Sequence, residues 1–434
     1  MTWNREPLRV MENGRYLAEG NQPFFWLGDT AWLMLHRLNE EDAVTYLNNR
    51  KALGFNVILT VLANSTKGKP VMGNGVKDPA RPEYWEFCDR IIKKAEEMGL
   101  YLALLPAWGS LVKEGTLTLH NVEAYAEFLG KRYQKSPNLI WILGGDIRGS
   151  QGLEIYRKEA RVLKAYNPER LISYHPFGRT SSSMWFHQED WLDFNLFQSG
   201  HRRYDQARLG EWDDNSSQEE FFGEDNWRYV ERDLGLSPAK PVLDGEPSYE
   251  GIPQGLHNPR NGYWEEADAR RYAYWSVFAG AAGHTYGNNA IIQFYDGQSG
   301  PGAYGVRETW KEALHYPGAG QMQYLKDLML EVDFSQGRSA DELLLYGQKE
   351  RYHRIAVFAG RRFILCYDYM GDEFLLDLRK YADRTMEIWW MNPQSGARSY
   401  GGDIFGQEKW LASPLRRKEG SNDWVLIIKE KEGE

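Results

Sequence analysis

The sequence predicts an α/β chain, a (β/α)8 TIM barrel over residues 1–331 followed by a smaller antiparallel β-sandwich over 332–434. Three observations carry that expectation. From about residue 22 to 330, short β-branched and aromatic runs alternate with amphipathic helical stretches, the pattern of repeated βα units. Beyond about Val332 closely spaced short strands take over, separated by turn residues such as Asn392-Pro-Gln-Ser-Gly396. At 434 residues, 42% of them apolar, the chain is long enough for a large core and a second domain.

The first strand is Phe24-Phe-Trp-Leu-Gly-Asp29, followed by a helix from Glu40 to Leu53 that Gly54 stops. Phe55 to Val61 is the second, and the loop from Ala63 to about Arg81 is glycine-bearing and long enough to shape a pocket. A helix carrying Asp89, Lys93, Lys94 and Glu97 ends at Gly99, and Leu100 to Pro106 makes strand three, with Trp108 just past it. Strands four to seven are Leu139–Leu143, Leu171–His175, Phe194–Ser199 and Pro241–Leu243. A helix from Glu265 to about Ala281 leads to the eighth, Gly283-His-Thr-Tyr-Gly287. In the C-terminal part, strands are expected at Leu343–Tyr346, Arg354–Phe358, Phe363–Tyr367, Met386–Trp390 and Trp424–Ile428.

Composition narrows the functional classes. A formal charge of −9 without a basic stripe argues against a nucleic-acid or anionic-membrane partner. No run approaches a membrane span, and the N-terminus lacks the apolar core of a signal peptide, so a cytoplasmic location is expected. Two cysteines, Cys88 and Cys366, are too few for a disulfide framework or a thiolate metal site. The 17 Trp and 26 Tyr are many for a soluble chain; packing takes most of them, and the remainder suits sugar rings, which stack their C–H faces on such side chains. The expected partner is a carbohydrate, with no cofactor and no metal; the sequence leaves the oligomeric state open.

In a TIM barrel reactive groups sit at the C-terminal ends of the strands. Two acids qualify, Asp146 after Leu139-Ile-Trp-Ile-Leu-Gly-Gly and Glu246 in Pro241-Val-Leu-Asp-Gly-Glu, ending strands four and seven, 100 residues apart. Such a pair supplies the acid/base and the nucleophile that acetal cleavage needs. Gly144 and Gly145 allow close backbone approach, and Pro247 fixes the direction in which the chain leaves. Each acid taken singly reads as readily as a helix cap or ion-pair partner. Asp29, Trp32, Asn64, Trp108, His175, Gln198, His201, Tyr286 and Asn288 share the rim as candidates for holding sugar hydroxyls or stacking on rings. Glu189, Asp190 and Asp193 precede strand six and belong to the opposite face, Glu250 lies beyond its strand end, and Gly297 to Gly305 is loop, not a phosphate cradle.

Two other classes stay open on these residues. His175, His201 and His284 at strand ends would suit a metal-dependent hydrolase, although no His-x-His follows strand one and no His-Glu-x-x-His helix occurs. A barrel that binds carbohydrate without cleaving it is the other.

Phe24-Phe-Trp-Leu-Gly-Asp-Thr-Ala-Trp32, Gly54-Phe-Asn-Val57, Ile140-Trp-Ile-Leu-Gly-Gly-Asp146, Gln198-Ser-Gly-His201, Asp244-Gly-Glu-Pro247 and Gly283-His-Thr-Tyr-Gly287 resemble the apiosidase-like barrel proteins of glycoside hydrolase family 140, over most of the chain. Ile388-Trp-Trp-Met-Asn-Pro-Gln-Ser-Gly396 looks like the sheet domain that commonly follows that barrel, labelled as collagen-binding. The resemblance implies a β-D-apiosidase acting on pectin fragments such as rhamnogalacturonan-II side chains, and the pair of acids is expected to work as a retaining, exo-acting glycosidase. It matches Asp146 to the acid/base and Glu246 to the nucleophile. The familiar pectin-degrading members are exported, so the missing leader pattern suggests trimming of imported oligosaccharides or small glycosides.

Overall fold

The structure, a computed structural model, describes residues 3, 5–66, 69–70, 82–206, 221–298, 300–414 and 421–431. Eight parallel strands form the barrel: β1 (Trp26–Thr30), β2 (Val57–Val61), β3 (Tyr101–Leu105), β4 (Leu139–Gly144), β5 (Ile172–His175), β6 (Asn195–Phe197), β7 (Val242–Asp244) and β8 (Gly283–Tyr286). Regular ladders join β5-β4-β3-β2-β1-β8 and, separately, β6-β7. The two seams are tied by single backbone hydrogen bonds, Asp193 N–H to the Ile172 carbonyl (2.9 Å) and Ala282 N–H to the Val242 carbonyl (2.9 Å). The sequence-expected strands are all present, each within a residue or two of its expected bounds.

Alternation along the strands explains their uniform hydrophobicity. In β3, Tyr101, Ala103 and Leu105 join one apolar cluster and Leu102 and Leu104 another; in β4, Ile140 and Ile142 face the first, Leu139, Trp141 and Leu143 the second. The second cluster also contains Tyr84, Ile91, Leu129 and Leu163 of the surrounding helices, so every strand side chain is buried on one face or the other. Besides short helices at Met34–Arg37, Ser110–Lys113, Asn289–Gln293 and Trp310–Ala313, the helices are α1 (Glu40–Ala52), α2 (Pro82–Met98), α3 (Val122–Tyr133), α4 (Leu153–Tyr166), the single turn α5 (Ser183–Phe186), α6 (Asn226–Leu234), α7 (Glu266–Phe278) and α8 (Pro317–Glu331). Asn39 caps α1 by accepting from Asp42 N–H (2.8 Å), and Gly54 after it adopts φ +84°, which a β-carbon disfavours.

Three short antiparallel strands, Leu8–Val10, Leu17–Glu19 and Gln22–Phe24, precede the barrel and were not expected from the sequence; at three residues each they carry almost no periodic signal. The C-terminal β domain packs a six-stranded antiparallel sheet and a three-stranded one around their own core of Val357, Ile364, Phe374, Leu376, Leu426 and Ile428. All five expected strands occur in it. Arg338–Ser339, Glu373–Asp377, Arg398–Phe405 and Glu408–Ala412 are additional; the last two are largely exposed, which hides their period, whereas Glu373–Asp377 buries Phe374 and Leu376. The domain docks on α7, where Tyr274 stacks on Tyr367 (4.5 Å between centroids) and Arg270 pairs with Asp423 (2.7 Å), both side chains fully buried. Cys88 and Cys366 are buried and are not joined in a disulfide, and no described helix is long and apolar enough to cross a membrane.

One core position carries a pH signature. Glu159 of α4 is 1% exposed, one of its carboxyl oxygens has no partner, and burial raises its pKa from an ordinary 4.5 to about 8. The folded state therefore holds a proton that the unfolded chain gives up, so this contribution to stability is complete below pH 4.5 and is lost as pH rises through about 8. Glu159→Gln should flatten that slope and stabilise the fold at pH 8 by on the order of a few kcal/mol, as melts between pH 5 and 8 would show. An unchanged slope would place the titration elsewhere.

Candidate active site

Strand β4 ends in a turn that aims a carboxylate inward. Gly144, Gly145 and Asp146 have φ of +89°, +106° and +48°. A β-carbon at Gly144 would meet the His175 carbonyl oxygen at 2.5 Å, and one at Gly145 the Trp108 ring at 2.6 Å, so glycine is required at both. Asp146 tolerates the left-handed conformation better than most residues, and Lys113 Nζ donates to its backbone carbonyl (2.7 Å), holding the turn. Across the barrel, β7 delivers Glu246, whose backbone carbonyl accepts from Ser199 N–H (3.1 Å) and Gly200 N–H (2.9 Å). One oxygen of each carboxylate and a ring nitrogen of His175 lie within 4.8 Å of one another.

Two histidines hold Glu246. The Tyr249 backbone N–H donates to His201 Nδ1 (3.4 Å), which leaves the His201 proton on Nε2, where it is donated to Glu246 Oε1 (3.0 Å). His175 Nε2 lies 3.2 Å from Oε2. Burial opposes ionisation of Glu246, but the two histidines outweigh it and hold the carboxyl below the usual range. Asp146 moves the other way: burial first, then the Glu246 charge, push it up to about 6, against His175, Gln198 and Lys113. One carboxylate is thus ionised at neutral pH and its neighbour kept within reach of a proton, the division of roles an acid/base and a nucleophile require.

A cavity of about 410 Å³ opens above this pair, walled by residues from the loops after all eight strands. Of the residues expected to bind substrate, Trp32, Asn64, Trp108, Gln198 and His201 line it. His175 lies beneath, fully buried, edge-on to Trp32 (5.4 Å). Trp32 and Trp108 meet at 5.3 Å, and Trp32 Nε1 donates to the Tyr249 hydroxyl (3.2 Å), which fixes the ring. Three of the expected binding residues lie off the cavity wall. Asp29 is fully buried away from the cavity, paired with Arg50 of α1 (2.6 Å) and accepting from Tyr46. The Tyr286 hydroxyl is spent on Glu250, which also accepts from Gly318 N–H (3.4 Å). Asn288 caps the short helix Asn289–Gln293 through Ala290 N–H (2.9 Å).

Tyr249, Phe177, Arg202 and Tyr304 line the cavity without having been singled out. Tyr249 and Phe177 stand within three residues of strand-end candidates, a signal that was available. Tyr304 belongs to the Gly297–Gly305 segment, whose described residues are loop as expected but contribute a pocket wall from Gly300 to Tyr304; nothing in its composition indicated that. Most of the loop from 63 to 81, expected to shape the pocket, lies outside the described residues. Glu189 and Asp193 are ion-paired with Arg157 (2.8 Å) and Lys164 (2.8 Å), in keeping with their exclusion. The three strand-end histidines do not converge: His175 and His201 flank Glu246, whereas His284 is buried off the cavity wall, its pKa lowered by burial to about 3.

Solved structures with this fold define the class. A protein described as a glycoside hydrolase is 40% identical, with a TM-score of 0.90 over 99% of this chain and 98% of its own. A glycoside hydrolase family 5 protein from Bacteroides vulgatus ATCC 8482 is 38% identical, with a TM-score of 0.88 over 98% and 93%. The protein is a glycoside hydrolase. Residues 11–336 match the family described as "Apiosidase-like, catalytic domain", and the chain belongs to that family. Residues 340–429 match a second, "Putative collagen-binding domain of a collagenase". No curated protein matches the chain.

Proposed function

We propose that the protein is a retaining, exo-acting β-glycosidase of the apiosidase type, releasing a terminal sugar from plant-derived oligosaccharides or glycosides. Residues 1–331 are the catalytic domain and 332–434 its β-sandwich partner. The observation that carries the reading is the separation of the two carboxylates, whose nearest oxygens are within 4.8 Å. Retention places the carboxyls about 5 to 5.5 Å apart, whereas inversion needs roughly 6.5 Å or more to admit a water. Glu246, ionised and oriented by His175 and His201, attacks the anomeric carbon while Asp146 protonates the leaving oxygen. The glycosyl ester on Glu246 is then hydrolysed by a water that Asp146 deprotonates. A cavity closed in by eight loops suits a chain end, and Trp32 and Trp108 offer faces to its sugar.

Family membership supports apiose as the sugar released. Wild-type protein is to be tested on apiosides, other pentosides and hexosides, with Glu246→Gln protein as the blank and with a chelator present. Release of one sugar by wild type alone, indifferent to the chelator, is the expected result. Chelator-sensitive release would favour a cation held by Asp146, His175 and Glu246, the described residues able to bind one. No release from any substrate would leave a carbohydrate binder.

A further inference from the structure

His201 sits on a segment whose far side is built by the C-terminal domain. Three residues beyond it, Tyr204 N–H donates to Glu224 Oε1 (2.8 Å) and the Tyr204 hydroxyl to Asp225 Oδ1 (2.7 Å). Glu224 is fully buried in the turn before α6 and lies 2.8 Å from Arg271 of α7, which is fully buried too. Glu224 Oε1, the oxygen that takes the Tyr204 N–H, also accepts from the hydroxyl of Tyr352, a residue of the β domain (3.0 Å). Tyr352 also packs edge-on against Tyr204 (5.4 Å), Arg351 covers that ring (5.0 Å), and Arg271 lies between Tyr352 (4.9 Å) and Tyr369 (5.3 Å). At the near end, the His201 carbonyl is fixed by Gly255 N–H (2.8 Å) and Trp264 Nε1 (3.1 Å). One β-domain hydroxyl therefore shares, with the Tyr204 N–H, the oxygen of the carboxylate that anchors the His201 segment.

We propose that Tyr352 is a positioning residue for the glycosidase reaction: through Glu224 and Tyr204 it holds His201 where it donates to Glu246, so that the β domain completes the active site from outside the barrel. The proposal rests on Glu246 as the nucleophile. A carboxylate held by two histidines reacts best in one orientation, and a fraction of an ångström of freedom at His201 lowers the attacking population before it disturbs sugar binding. The contact is part of a buried network, in which losing one donor loosens the carboxylate that the remaining Tyr204 N–H still holds.

The test is a double-mutant cycle in the full chain. Tyr352→Phe keeps the ring and removes the hydroxyl; it should lower kcat about tenfold with KM nearly unchanged. In a His201→Ala background the same substitution should cost nothing further, because the group through which it acts is gone. Independent effects in the two backgrounds, or wild-type kcat in Tyr352→Phe, would overturn the proposal, and thermal melts of all four proteins show whether the fold is intact. Glu246→Gln run alongside separates the two failures: if it stays active the nucleophile is misassigned, and if it is dead while Tyr352→Phe is normal, only the role of Tyr352 falls.

Discussion

Glu246→Gln protein should fold as wild type does and turn over its substrate on the order of 10⁴-fold more slowly or worse, because an amide cannot form the glycosyl ester on which a two-step displacement depends. The exchange keeps shape and volume, and the His201 N–H retains an oxygen to donate to, so the loss is chemical and not structural. A second consequence follows for Asp146. The Glu246 charge is, after burial, the main influence raising its pKa, so Glu246→Gln should bring the Asp146 carboxyl down. Wild-type rates in this variant, or an Asp146 pKa that ignores it, would sink the pairing of roles.

Asp146→Asn should show the second-largest effect, and its size should depend on the leaving group. General acid catalysis is worth about 10² to 10⁴-fold, so an alkyl or sugar leaving group should suffer by that amount. An activated aryl leaving group departs without protonation, so its cleavage should slow far less, and an added small anion should restore turnover by replacing the water that Asn can no longer activate. In wild type, kcat/KM requires Asp146 protonated and Glu246 ionised. Activity should therefore fall as pH rises through about 6, the value to which burial and Glu246 bring Asp146, and that limb should vanish in the variant. Equal losses on both classes of leaving group would remove Asp146 from the acid role.

The barrel was legible because its strands are buried on both faces and end abruptly at glycine, acid or proline. Both carboxylates could be read for the same reason: Gly-Gly-Asp146 and Asp-Gly-Glu246 put an ionisable group where an apolar strand stops. Asp29 has the same local signature and a different fate. What separates it from Asp146 is Arg50, 21 residues on, which α1 returns to the strand end to neutralise it. That pairing is a fact of tertiary packing and leaves no mark near Asp29. Tyr286 and Asn288 were likewise absorbed by Glu250 and a helix end. Tyr304 reaches the cavity on a loop whose path depends on contacts with distant segments. The two exposed strands of the β domain, Arg398–Phe405 and Glu408–Ala412, bury almost nothing and so carry no clear alternation in hydrophobicity.

The separation of Asp146 and Glu246 makes a stereochemical claim that one measurement tests directly. Proton NMR of the first sugar released from a β-linked substrate, recorded before mutarotation, reports the anomer that leaves the enzyme. The β-anomer as first product is what the carboxylate geometry predicts. The α-anomer would mean a single displacement by water, and Glu246 would then be a base and not a nucleophile.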